Sequence, residues 1–174
     1  NLWILDEKLS YHKYLASDKS FKAIEPVNSE SKDRPDIIIF NKPFAFSNDD
    51  KPYESIVLIE FKRPMRDDYT DLENPISQIN KYAREIIDGE AKDKYDREFG
   101  YRSNTPIYAY IICDLTKRLK SFASDAGYKL LPSGDGYFAF NDNYNMYIEI
   151  MSFDKILIDS RERNRVLFEK LNLT

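Results

Sequence analysis

Cysteine and histidine are nearly absent from this chain of 174 residues, which has one of each, Cys113 and His12. A lone cysteine excludes an internal disulfide framework, and one cysteine with one histidine falls short of an ordinary structural zinc site. Chemistry that needs two histidines is excluded as well, and a Ser-His-Asp triad could run only through His12. Glycine is scarce, at five residues, so the turns are marked mostly by Pro, Asn and Asp. No apolar run approaches the ~20 residues of a membrane helix. The longest, DIIIF, SIVLIEF and IYAYIIC, are strand-sized. Positive charge is in deficit: the formal net charge is −4, which argues against a globally basic nucleic-acid coat. An enzyme that meets DNA locally does not need such a coat.

What is present is an ordinary globular composition, 42% hydrophobic and 32% charged. One domain over residues 1–174 is expected, in the cytoplasm and without membrane contact. The chain begins at Asn1 with neither Met nor a signal-like stretch. It reads as a piece of a longer protein, whose other domains would then be partners.

Periodicity predicts a helix over 2–16, with Leu2, Leu5, Leu9 and Ala16 on one face. Trp3, Ile4, Tyr11, Tyr14 and Leu15 lie opposite, and Glu7 falls inside that aromatic cluster. His12 sits at the rim of the leucine face and reads as a packing residue. Strands are expected at 21–25, 36–41 and 55–62, the last closed by Pro64. Asn74-Pro75 is a helix start, with Asn as cap and Pro in the first turn. The helical spacing of Ile76, Ile79, Ala83 and Ile86 runs to about Asp88, and Gly89 stops it. Residues 90–104 read as a loop, 107–113 as a buried strand and 116–126 as a helix. A hairpin of 137–140 and 146–150 turns around Asn141–Asn145, and a final helix covers about 154–171. Helix, strands, helix, strand and then additions make an α/β sandwich around a mixed sheet.

The chemistry is concentrated on the strand SIVLIEFK. Alternation puts Ile56, Leu58, Glu60 and Lys62 on one face and Val57, Ile59 and Phe61 on the other. Two charges at the end of an apolar face each need a partner or a metal. Pro35-Asp36 opens the preceding strand. If the two strands form a hairpin, Asp36 meets Glu60 and Lys62 at one sheet edge. Two carboxylates and a lysine suit Mg²⁺-assisted phosphodiester hydrolysis, because Mg²⁺ takes oxygen ligands from one or two carboxylates together with water and phosphate. Gln78 and Tyr82, four residues apart, project together near a helix N-terminus that favours phosphate.

Pro35-Asp36 followed by Glu60-Phe61-Lys62 resembles the signature of the PD-(D/E)XK nuclease superfamily, and Gln78 to Tyr82 resembles the QxxxY motif of its RecB-like members. The resemblance covers residues 2–114 and implies an αβββαβ, restriction-endonuclease-like core with a mixed central sheet flanked by helices. Residues 115–174 are then a C-terminal addition, with a β-hairpin and a helix. It implies metal-dependent cleavage of nucleic acid, with DNA favoured by analogy. Asp36, Glu60, the Phe61 carbonyl and Glu7 would hold Mg²⁺, for which Mn²⁺ substitutes. Lys62 would position the attacking water. Gln78, Tyr82, Arg63 and Lys81 would contact substrate or, for Gln78 and Tyr82, brace the lysine.

Blander alternatives stand beside this. Glu60 and Lys62 would form a solvated cross-strand pair worth under ~1 kcal/mol. Asp36 would cap Arg34 or local backbone, and Glu7 would pair in solvent with Lys8 or Lys13. The whole would be a non-catalytic nucleic-acid-binding or partner-docking module. The basic residues Lys62, Arg63, Arg66, Lys81 and Arg84 are followed or flanked by acidic ones, so the local charge is not one-sided. Cys113, on the face of Ile107, Ala109 and Ile111, is expected to be an inert core thiol.

Overall fold

The apolar runs of the sequence become the middle of one sheet. A computed structural model describes residues 14–24, 31–41, 54–87 and 105–172, apart from the side chains of 166 and 167. In chain order the elements are β1 (Tyr14–Ser17), a 3₁₀ turn (Phe21–Ala23), β2 (Ile37–Asn41), β3 (Ser55–Phe61), α1 (Pro75–Ile87) and β4 (Ile107–Ile112). Then come α2 (Lys117–Asp125), β5 (Lys129–Leu130), β6 (Gly136–Asn141), a second 3₁₀ turn (Asp142–Tyr144), β7 (Met146–Met151) and α3 (Phe153–Lys170). The seven strands form one mixed sheet in the order β1-β2-β3-β4-β7-β6-β5. The pairings β3–β4 and β4–β7 are parallel and the rest antiparallel.

β3 and β4 are central and covered on both faces, which is why they read as continuous apolar runs rather than as alternating patterns. Ile56, Leu58, Ile107, Ala109 and Ile111 pack under α1 and α2, through Ile76, Ile79, Ala83 and Ile86 and through Leu119 and Ala123. Ile39, Val57, Ile59, Tyr110 and Ile112 face the other way, under Ile156 of α3. Burying each such aliphatic side chain contributes about 1.5–3 kcal/mol. The fold is therefore α/β with helices on both faces of an open sheet. β7 continues that sheet directly from β4, so the strands after residue 115 share its hydrogen-bond ladder.

Two of the expected elements differ. The predicted helix over 2–16 does not reach its end: Tyr14–Ser17 is an edge strand, paired in register with Phe40 to Ile37. Its exposure alternates, with Ala16 at 3% and Leu15 at 36%, and the Tyr14 ring lies 6.1 Å from that of Phe40. Ladder hydrogen bonds and cross-strand packing outweigh the helical spacing of so short a stretch. The strand expected at 21–25 is also corrected. Phe21–Ala23 is a 3₁₀ turn that buries Phe21 completely, and its backbone is tied to residues 31 and 33 rather than to a sheet neighbour. The rest of the expected first helix, with Glu7 and His12, lies outside the described residues, as do the 42–53 stretch, Gly89 and the 90–104 loop. Among the described residues no helix is long and apolar enough to cross a membrane.

The start of α1 is set by Asn74, whose Oδ1 accepts from the Ser77 N–H at 2.9 Å. Its Nδ2 donates to the Asp71 carbonyl at 3.0 Å and to Ser77 Oγ at 2.8 Å. One side chain thus closes the helix and pins the preceding turn. Asn74→Ala is expected to cost ~1–2 kcal/mol, read as a lower urea midpoint at unchanged slope. An unchanged midpoint would contradict the capping role.

Candidate active site

β2 and β3 run antiparallel with Ile37 opposite Ile59, so the residue before one faces the residue after the other. The hairpin therefore brings Asp36 to Glu60. The Phe61 N–H donates to Asp36 Oδ2 at 2.6 Å, and the Asp36 N–H points to Glu60 Oε2 at 3.4 Å. The Asp36 carbonyl in turn accepts from the Asp18 N–H at 2.9 Å, so β1 holds the strand start from its other side. Beyond Phe61 the β3–β4 ladder continues through the Lys62 N–H to the Ile112 carbonyl at 2.8 Å. Lys62 is thus placed by sheet hydrogen bonds on the same face as Glu60, two residues back.

Both are buried, Glu60 at 4% and Lys62 at 8% exposure, and Lys62 Nζ donates to Glu60 Oε1 at 2.7 Å. This is no solvated edge pair. Helix α1 completes the enclosure. Gln78 Oε1 accepts from Lys62 Nζ at 2.6 Å, while its Nε2 donates to Glu60 Oε1 at 2.8 Å and to Tyr82 OH at 2.6 Å. An ammonium cannot accept, so the amide oxygen must face Lys62 and the amide nitrogen the other two. Tyr82 OH then has its proton for the Arg34 carbonyl, 2.8 Å away. The result is one directional chain, from Lys62 through Gln78 and Tyr82 to the backbone of the segment that carries Asp36.

Electrostatics follow from the enclosure. Burial pushes the Glu60 carboxyl above its ordinary range; the bonded Lys62 ammonium pulls it back down, and the Asp36 charge adds a further upward push. Burial also raises the Tyr82 phenol, with the Glu60 charge acting in the same direction. Cys113 is 1% exposed, and burial pushes its thiol up to about 12, so it stays protonated and packs as a core residue.

Lys62, Gln78, Tyr82, Asp33, Arg66 and Lys81 line a cleft of about 390 Å³ between α1 and the 62–74 loop. Of the expected substrate residues, Lys81 lies on its wall, with Nζ 2.6 Å from Asp33 Oδ2. Arg63 is exposed and does not line the cleft. The loop is anchored by Tyr69, 2% exposed, under the Arg66 guanidinium at 5.0 Å. Gln78 bonds the lysine directly and Tyr82 bonds Gln78, and both also line the cleft.

Among the described residues no group of three or more His, Cys, Asp or Glu side chains is arranged to hold a metal. The edge does present hard oxygens. Asp36 Oδ2 accepts one backbone N–H, and Glu60 Oε2 has a single contact at 3.4 Å. That leaves lone pairs on two neighbouring carboxylates, hard oxygens of the kind Mg²⁺ or Mn²⁺ takes.

Residues that the sequence reading passed over also belong here. Arg34 contributes only its carbonyl, which has no sequence signal. Asp33, Ser31 and Glu85 gather behind Tyr82, and Glu85 had a signal: it shares the helical stripe of Gln78 and Tyr82. Asp114 accepts the Met65 N–H at 2.6 Å, holding that non-glycine residue at φ 57° at the bend after Lys62. Comparison of the chain with protein-family models, curated proteins and solved structures finds no match.

Lys62→Met removes one partner of a buried ion pair, which costs about 3–5 kcal/mol. Without Lys62 the Glu60 carboxyl rises further, and its protonation at lower pH relieves the loss. Urea unfolding is expected to show the larger cost near about pH 8 and a smaller one near about pH 5. Equal costs at the two values would contradict a charged Glu60–Lys62 pair.

Proposed function

We propose that the chain is a metal-dependent nuclease domain that hydrolyses phosphodiester bonds in nucleic acid, with DNA the favoured substrate. The observation that carries this reading is the convergence of Asp36, Glu60 and Lys62 at one sheet edge, beside an open cleft, with Lys62 held by both Glu60 Oε1 and Gln78 Oε1. The likeness of Pro35-Asp36, Glu60-Phe61-Lys62 and Gln78–Tyr82 to the PD-(D/E)XK signature supports it. Glu7, expected as a further ligand, lies outside the described residues.

Asp36 and Glu60, with the Phe61 carbonyl, would hold Mg²⁺ or Mn²⁺, which supplies charge neutralisation at the scissile phosphate and a more acidic water. The chain's own contribution is positional. An ammonium has three protons; Lys62 donates two of them inside the site and lines the cleft, so the third is directed to a water or phosphate oxygen there. Glu60 and Gln78 fix that ammonium so that it need not reorganise during reaction. Lys81 and Arg66 on the cleft wall are each paired with an aspartate, Asp33 and Asp68. Polyanion binding at these walls therefore exchanges one acidic partner for another, in keeping with a chain of net charge −4.

The test is cleavage of labelled single-stranded, double-stranded and branched DNA with Mg²⁺ or Mn²⁺, comparing wild type with Glu60→Ala and Lys62→Ala. Metal-dependent cleavage is expected, falling by at least about 100-fold in each variant. Cleavage that persists in both variants, or is absent from the wild type with either metal, would contradict the assignment.

A further inference from the structure

One turn beyond Tyr82, Glu85 is buried at 6% exposure. Across from it lies the segment 31–36, which carries Asp36 and the Arg34 carbonyl that accepts from Tyr82. Ser31 Oγ donates to Glu85 Oε2 at 3.0 Å, and the Asp33 N–H donates to Ser31 Oγ at 3.2 Å. Ser31 thus bridges the Asp33 backbone to the Glu85 carboxyl, and each of the two acids shifts the other's titration, Glu85 upward and Asp33 downward. Ionised carboxylates only accept, so two brought together in this enclosure favour a proton on one of them. Lys81 Nζ sits 2.6 Å from Asp33 Oδ2, which fixes the negative charge on Asp33. The proton therefore belongs to Glu85, the more enclosed group.

We infer that Glu85 donates a proton to Asp33 in a carboxyl–carboxylate bond, and that this bond clamps the 31–36 segment to α1 and so positions Asp36 against Glu60 and Lys62. The inference deepens the nuclease reading and rests on it for the role of Asp36. Glu85 and Asp33 are positioning residues, removed from the reacting atoms. Among the described residues, the charged groups acting on Glu85 are Asp33 from the facing segment and Lys81 from its own helix. The 3₁₀ turn behind the segment adds the Phe21 ring, edge-on to Tyr82 at 5.9 Å, and backbone donors from Phe21 to Asp33 and from Lys22 to Ser31; Lys22 is the charged residue of that turn.

The clamp has a defined pH window. Burial, and then the neighbouring Asp33, push the Glu85 carboxyl up to about 7 from its ordinary 4.5. A carboxyl raised on folding stabilises the fold below its unfolded value, and loses that contribution as pH rises through the folded one. Asp33 has the opposite sign. Its bond from Glu85, and then Lys81, hold it below its ordinary 3.8, so its contribution is lost only in acid. The clamp is therefore closed in mild acid and opens as Glu85 ionises above neutrality.

Thermal unfolding and metal-dependent cleavage of the full chain, followed from about pH 5.5 to about pH 8.5, test this with Glu85→Gln and Glu85→Ala beside wild type. Glutamine keeps a permanent N–H donor to Asp33 and cannot ionise. Glu60 slopes stability in the same direction, so the informative quantity is the difference between wild type and Glu85→Gln. The wild-type melting temperature is expected to fall by at least about 3 °C more than that of Glu85→Gln across the range. Cleavage by Glu85→Gln should persist to higher pH, and Glu85→Ala should be weakened at every pH. Parallel melting profiles for wild type and Glu85→Gln would overturn the shared proton. Divergent melting profiles with identical cleavage profiles would overturn the positioning role. If no DNA is cut, divergent melting profiles still support the clamp, and the catalytic reading alone falls.

Discussion

The bond between Lys62 Nζ and Glu60 Oε1 is the constraint on which the site depends. Two charges at this depth cost several kcal/mol each to strip of water, and their attraction offsets that only if the remaining hydrogen-bonding capacity is filled. Gln78 fills it on both sides at once, which requires α1 to dock in one register. The dock is secured at its start by the Asn74 cap and further along by Tyr82, whose hydroxyl reaches the Arg34 carbonyl. The same segment carries Asp36, held from β1 through the Asp18 N–H. A change that loosens α1 therefore leaves two buried charges partly unpaired and frees the strand start that bears the second carboxylate.

This arrangement costs stability relative to an apolar one. A hydrophobic pair in place of Glu60 and Lys62 would pack on β3 with less desolvation. What it could not do is fix an ammonium on the wall of a cleft against Glu60, with Asp36 beside it. Fixed dipoles and charges act on a developing transition state without reorganising, and that is worth more in an enclosed site than in water. Lys81 and Arg66 on the cleft walls each have an acidic partner, so under the proposed function attraction for a phosphate backbone would depend on a metal held at the edge.

Much of this was readable before the fold was known, for identifiable reasons. β2, β3, β4 and α1 follow from runs and spacings of apolar residues that belong to one period only, and Asn74-Pro75 marks a helix start by local chemistry. Antiparallel pairing of consecutive strands then brings Asp36 to Glu60 almost unaided. Tyr14-Leu15-Ala16 was misread because three residues extend a helical pattern as easily as they alternate; pairing with β2 decides between the two. Phe21–Ala23 has strand-like composition, yet its backbone bonds run to residues 31 and 33. The Ser31–Glu85 bond joins positions 54 apart in sequence, and no local pattern pairs the two. Glu85 on the stripe of Gln78 and Tyr82 is the one local pointer to it.

The proposed function requires that Asp36 and Glu60 form one cation site at this edge. Calorimetric titration of the metal alone, Mn²⁺ or Mg²⁺, tests it without any substrate. One site is predicted for the wild-type chain, weakened at least about tenfold by Asp36→Asn and equally by Glu60→Gln. Binding that survives both substitutions, or no binding by the wild type, would contradict it.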